Sequence, residues 1–401
     1  MNRWLVVLGA IIIQLNLGAV YAWSLFNQPL IDKFGWAREE VVVTFSITIA
    51  VMAFTTIFAG RLQDQIGPRW VASIGGLLLG IGVMLASQAT TLFQLYFFYG
   101  VIGGIGIGMT YVCPLSACVK WFPDKRGFIS GIAVAGFGLG GLVYKPVIGY
   151  LIELTGVSSS FLYVGAIYLV LVIAGAQLLK NPPIENQLSL SQEVALDGES
   201  QFTVKEMLST YQFYLLWFMF LFGSVSGLMV ISYAVDIGVD LANLSLEQAG
   251  NAVMVIALFN ASGRILLGKL SDRIGRSNTL IISYGLTALI MFYISTGMMN
   301  YSSFLIAVSL IGFCFGGFLA LFPSVTADYY GTKNMGSNYG FMYQAYGLSA
   351  FVGPLVVKAF PFTQAFLLAS LFCIVAIVMA KFVKVPKKAP VKGLQEERSV
   401  V

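Results

Sequence analysis

"GRLQDQIGPR" occupies residues 60–69, and "GKLSDRIGRS" occupies residues 268–277, 208 positions later. Each follows an apolar run and ends in basic residues, the pattern of a short polar turn between two buried helices. A second pair, "GFGLGGLV" at 136–143 and "AYGLSAFV" at 345–352, repeats at a nearly equal displacement of 209. Two pairs at one offset mean that the chain is a duplicated unit. The fold is therefore to be read as one architecture used twice.

Composition says where that architecture sits. Of 401 residues, 58% are hydrophobic and only 10% charged, whereas soluble domains carry about 25% charged residues. Apolar runs recur from end to end, each of the length (about 20 residues) needed to cross about 30 Å of hydrocarbon. They are continuous, not alternating apolar and polar, so a strand barrel is excluded. Turn and charge signals divide the chain into twelve spans near 4–27, 41–60, 70–88, 92–118, 128–152, 159–179, 211–236, 246–268, 278–299, 302–327, 339–359 and 361–383. The expectation is an all-α polytopic membrane protein of twelve transmembrane helices in two pseudo-symmetric six-helix bundles. The bundles cover 1–180 and 211–384, joined by a polar linker at 181–210 and followed by a basic tail at 385–401.

Charge sets the orientation. With the amino terminus inside, 18 of 23 Lys and Arg fall on cytoplasmic segments, Lys33, Arg38 and Lys358 fall outside, and Lys145 and Arg264 fall within spans. Positive residues stay inside, so both termini are expected to be cytoplasmic, in a bacterial inner membrane. The tail "KFVKVPKKAPVK" (381–392) reads as a lipid-surface anchor and not as a nucleic-acid contact. The first apolar stretch runs past Tyr21 without a small-residue cleavage site and is read as a permanent span. Cys113, Cys118, Cys314 and Cys373 lie in apolar runs without metal or redox spacing, so buried free thiols are expected and no metal or cofactor.

The repeated G-x-L-x-D-x-x-G loop resembles the signature of the major facilitator superfamily, whose two bundles rock about a central site. In that reading Gly60 and Gly268 allow close helix approach. Asp64 and Asp272 cap the amino end of a neighbouring helix, and Arg69, Arg273 and Arg276 pair across a cytoplasmic gate. The alternative is that these residues only hold the loop and its topology.

Enzyme chemistry finds no support. The chain has no histidine, no H-E-x-x-H, no phosphate loop and no dinucleotide motif between a strand and a helix. "GFGLGG" lies mid-helix, where packing explains it. Transport driven by a gradient remains, and ionisable groups inside spans become the candidates. Arg264 is eight residues from Asp272, about 12 Å along a helix, which is midplane depth. No Asp or Glu shares that depth. A buried arginine is normally paired, and its planar fork matches a carboxylate, so the missing partner is read as the substrate. The competing reading has Arg264 donating to carbonyls or to Asp328. Lys145 either faces the cavity or snorkels outward. Tyr111 and Tyr346 fall at a similar depth to Arg264, Tyr339, Tyr343 and Tyr346 share one helical face, Tyr21 lies on span one, and Asn260 is one turn from Arg264. Together they form a polar box in an aromatic cage.

"KWFPDKRG" (120–127), "SGR" before the second loop, "LFPS" (321–324) and "NYGF" (338–341) resemble the oxalate/formate antiporter family, which includes bacterial monocarboxylate carriers of the pyruvate type. The resemblance implies that Arg264 binds the substrate carboxylate, and it places Tyr111 and Tyr21 in the site. Two departures follow. Tyr346 stands where oxalate carriers have a second cation. Phe137, Phe315 and Leu319 stand where family members can show Tyr, Trp and Tyr. The expectation is a monocarboxylate such as pyruvate, lactate or formate, carried by exchange or with a coupling ion by a chain acting as a monomer in the bilayer. Proton symport is left open. An oxalate or small-dicarboxylate:formate antiporter, with Lys145 as second cation, an exporter of a bulkier substrate, and a carboxylate sensor are the alternatives.

Overall fold

The computed structural model describes residues 2–182 and 201–386; residues 183–200 of the expected linker and 387–401 of the expected tail lie outside the described residues. Among the described residues, eleven helices are long and apolar enough to cross a membrane. The first four are α1 (Arg3–Ala22), α2 (Glu40–Ile66), α3 (Pro68–Ala86) and α4 (Leu92–Trp121). Next comes Pro123–Leu178, whose 56 residues would run about 84 Å as one straight helix, far beyond one bilayer. Gly156 interrupts it at φ 78°, ψ 163°, backbone that residues with a Cβ avoid. The segment is therefore two crossings, α5 (126–155) and α6 (157–178), and twelve in all are reached with α7 (Tyr211–Ser232), α8 (Gln248–Ile274), α9 (Arg276–Ser295), α10 (Tyr301–Tyr330), α11 (Met335–Ala359) and α12 (Phe362–Phe382).

The duplicated loops adopt twin conformations. Gly67 turns the chain at φ 91°, ψ 159° and Gly275 at φ 89°, ψ 156°. Each glycine N–H closes the preceding helix, on Gln63 and Ser271 respectively. The next helix then begins at once: Pro68 opens α3, with its fixed φ suited to a first helical position, and Arg276 opens α9. The face of the molecule carrying these turns is the loop side, and the opposite face is the far side.

Helices approach closely where glycine removes the side chain. A Cβ built on Gly18 of α1 would stand 2.0 Å from the Phe137 carbonyl oxygen of α5, and one built on Gly140 would stand 2.4 Å from the Gly18 carbonyl carbon. "GFGLGG" is thus the seam between α1 and α5. Contacts between α1–α6 and α7–α12 run mainly through α5 on α8 and α10 and α2 on α11, with α4 touching α10 and α11. The loop side of that interface is closed where Ser324 Oγ donates to Ser130 Oγ at 3.2 Å, and nearer the middle Gln344 Nε2 donates to the Ala53 carbonyl at 2.6 Å. On the far side the interface opens into a cavity of about 60 Å³ lined by Tyr21, Phe45, Ile49, Leu228, Ser232, Tyr346 and Ala350.

Gly140→Val is expected to destabilise the fold by about 1–3 kcal/mol through overpacking. Gly149→Ala, where nothing lies within 4 Å, is expected to be silent. The thermal midpoint of monodisperse protein in detergent measures both; equal midpoints would contradict the seam.

Candidate functional site

Arg264 is the centre of the interface and is 1% exposed. Its Nε donates to Asn260 Oδ1 one turn earlier on α8 at 2.9 Å. One terminal nitrogen donates to the Val134 carbonyl of α5 at 2.5 Å, so the guanidinium reaches across from one half of the chain to the other. Its second terminal nitrogen is buried and has no partner. Gly138 makes this position possible: a Cβ there would lie 3.0 Å from Asn260 Oδ1 and 3.3 Å from Arg264 Nε. Among the described residues Arg264 has no ion pair, and Asp328, the acid it could have used, is occupied by Arg126 and Arg276 at 2.8 and 2.7 Å. The guanidinium is thus held by neutral acceptors and keeps one donor group unspent.

A closed circuit of aromatic side chains adjoins it. Phe137 of α5 meets Tyr21 edge-on with centroids 5.2 Å apart, and Tyr111 of α4 at 5.5 Å. Tyr111 lies 4.7 Å from Tyr343 of α11, and Tyr343 lies 4.9 Å from Tyr346. The circuit closes where the Tyr346 and Tyr21 hydroxyls share a hydrogen bond at 2.9 Å. Tyr339 extends it below Tyr343 at 5.7 Å. Offset and edge-on pairs of this kind fix ring positions beyond simple burial. Gln14 of α1 braces the circuit from behind, donating its amide to the Tyr111 carbonyl. Phe315 joins through Tyr346 at 6.4 Å, and Leu319, one turn along α10, is equally buried.

Lys145 is not among these contacts. It is exposed and has no hydrogen bond or ion pair among the described residues. It lies seven residues beyond Gly138, about 10 Å farther toward the far side on the same helical face.

The loop motifs build the loop-side seam. Asp272 accepts from the Gly127 and Phe128 N–H groups of α5 at 2.9 and 2.8 Å. Asp64 accepts from the Gly336 and Ser337 N–H groups opening α11 at 3.1 and 2.8 Å. Each carboxylate therefore caps a helix of the opposite half, where the positive end of the helix dipole favours it. Cβ atoms on Gly60 and Gly268 would meet the Gly336 and Gly127 carbonyls at 2.0 and 2.3 Å, so each capping loop rests directly on the helix it caps. Arg276 binds Asp272 and Asp328, and Arg126 of α5 reaches Asp328 across the interface. Two arginines do not reach this seam. Arg69 donates to Gln177 of α6 at 2.7 Å, and Arg273 is exposed without an ion pair among the described residues.

Sequence reasoning missed the Val134 carbonyl, the fit of Gly138 to the guanidinium and the role of Arg126. Arg126 could have been found in "KWFPDKRG" as a cation at a helix start, facing Asp328. The asparagine of "NYGF" has a duty outside the site: Asn338 Nδ2 donates to the Phe202 carbonyl at 3.1 Å, tying the end of the linker to α11.

A twelve-crossing fold with twin loops and a polar centre between its halves defines a membrane transporter. The profile of the Major Facilitator Superfamily matches residues 6–354 and 243–401, and the chain belongs to that family. An MFS-type transporter of Escherichia coli is 36% identical over 87% of this chain and 86% of its own length. The oxalate:formate antiporter of Oxalobacter formigenes is 30% identical over 100% of this chain and 96% of its own. The apicoplast pyruvate carrier 1 of Toxoplasma gondii is 26% identical over 85% and 81%. Among solved structures, the proton:xylose symporter XylE superposes with a TM-score of 0.73 at 16% identity, over 95% of this chain and 96% of that one, a likeness of fold.

Replacing Asp272 by Asn removes the charge that caps α5. Ser130, fully buried at the seam, can report on it as Ser130→Cys because the native cysteines are themselves buried. Labelling by a thiol reagent applied from the loop side is expected to accelerate about tenfold, the equivalent of about 1.4 kcal/mol of lost capping. An unchanged rate would leave the loop with topology alone.

Proposed function

We propose that this transporter moves a small monocarboxylate such as pyruvate, lactate or formate across a bacterial inner membrane by alternating access. The observation that carries the reading is the buried, unpartnered terminal nitrogen of Arg264 in an interface where the nearby acid is already paired. A carboxylate supplies the acceptors that Asn260 and the Val134 carbonyl do not, and a fork-to-fork pair with guanidinium is charge-assisted on both sides. The relatives named for oxalate, formate and pyruvate support an anion as the cargo.

In this reading the loop side faces the cytoplasm and the far-side cavity receives the acid. The bundles 1–180 and 211–384 rock about the Arg264 plane. Without an anion, transit carries a buried charge short of acceptors; with one, the charge is neutralised and transit is easier. Exchange is accordingly faster than net flux. Tyr346 offers a neutral hydroxyl where a second cation would bind a second carboxylate. One observation favours a dicarboxylate instead: Lys145 shares a face of α5 with Gly138, so its ammonium can meet a longer acid from above.

Counterflow in proteoliposomes tests the reading. Arg264→Gln is expected to lower uptake of labelled pyruvate, lactate and formate at least about 100-fold, the cost of losing a charged partner in a closed site. Saturable uptake surviving in that variant would sink it. Tyr346→Lys is expected to raise oxalate uptake relative to pyruvate about tenfold or more by supplying the second cation. Oxalate preferred by the unmodified protein and lost in Lys145→Gln would select the dicarboxylate reading.

A further inference from the structure

The Tyr21 and Tyr346 hydroxyls come from opposite halves of the chain and lie 2.9 Å apart, with either oxygen able to donate. In such a pair one O–H is used on the partner, the other O–H is free, and lone pairs remain on both oxygens. Neither hydroxyl makes another hydrogen bond among the described residues. Tyr21 and Tyr346 line the far-side cavity, whose other walls are Phe45, Ile49, Leu228, Ala350 and Ser232, with no charged side chain. The pair therefore borders a space that is neutral and mostly apolar.

Helix α5 touches both Arg264 and Tyr21. A Cβ on Gly138 would touch the guanidinium at 3.3–3.4 Å, and a Cβ on Gly141 would lie 3.3 Å from the Tyr21 Cβ. Three residues apart on one helix, these points are separated by about 4.5 Å along its axis. Phe137, next to Gly138 on the same helix, packs edge-on against Tyr21 and keeps that ring in place. An acid with its carboxylate on the guanidinium directs its next carbon toward the hydroxyl pair.

We infer that the Tyr21–Tyr346 pair is the specificity element of the site and reads an oxygen on C2 of the bound acid. The substrate class is then 2-oxo and 2-hydroxy monocarboxylates. This rests on the carboxylate reading of Arg264. A 2-oxo group accepts from the spare O–H, and a 2-hydroxyl both accepts from it and donates to a lone pair. A plain methylene in the same place leaves the spare O–H unpaired once the cavity closes. A second carboxylate would be desolvated against two neutral hydroxyls without a cation.

The test is a ratio measured in one preparation: pyruvate or lactate against propionate, as kcat/KM for uptake into proteoliposomes. The unmodified protein is expected to prefer the oxygenated acids about tenfold or more, because a site built around a hydrogen bond rejects the analogue that lacks it. In the double variant Tyr21→Phe with Tyr346→Phe the ratio is expected to fall to within about twofold of one, each single variant lying between. Expression and folding cancel in the ratio, and the single variants carry the test where the double variant does not fold. A ratio near one in the unmodified protein, or an undiminished ratio in the double variant, overturns this inference while leaving carboxylate transport intact. Uptake of no acid at all overturns both.

Discussion

The constraint on which the rest depends is a guanidinium buried in a membrane interface without an acid beside it. A charge at a helix centre costs about 2.5–3.5 kcal/mol even on permissive insertion scales, and burial raises the demand for acceptors. Arg264 meets part of that demand with Asn260 and the Val134 carbonyl, one from each half. The surroundings are organised to permit this: Gly138 has no side chain to obstruct the guanidinium, and the aromatic circuit offers hydroxyls without charge.

Acids are present but committed elsewhere. Asp64, Asp272 and Asp328 all serve the loop-side seam, each engaged with helix amino ends or with cations. Asp64 has Lys120 at 3.8 Å, whereas Asp328, at the repeat position of Lys120, takes Arg126 and Arg276. The duplication therefore supplied two similar loops and then diverged in sign at α4 and α10. That divergence gives one half an ammonium and the other a carboxylate at the seam, and it leaves no acid for the midplane.

Much of this was legible beforehand. Twelve spans and the repeat follow from apolar run length and from glycines whose twin φ values now explain the recurrence. Arg264 was legible because a charge in an apolar helix admits few explanations. Other features were not. A backbone carbonyl such as that of Val134 has no sequence signature, and the break at Gly156 was visible only as a loop. Arg69 was misplaced for a specific reason: it stands at the repeat position of Ser277, not of Arg276. One residue along a helix is a rotation of about 100°. Arg69 accordingly turns to Gln177 on α6, just as Ser277 turns to the Ala380 carbonyl on α12, while Arg276 turns to the seam.

Because the acceptors of Arg264 come from both halves, anion binding at this residue and apposition of the halves are linked in the cycle we propose. Separating the loop side removes the Val134 carbonyl from the guanidinium, and an empty site would then hold a charge with Asn260 alone. In that reading, an anion on the unspent nitrogen would lower the cost by staying with Arg264 on α8 as α5 moves away. The ligand's differential affinity for the two arrangements is what shifts their balance. In the proposed cycle the difference would come from one backbone carbonyl, that of Val134, which only the closed arrangement brings to the guanidinium. A guanidinium paired with a carboxylate on its own helix would have no such dependence.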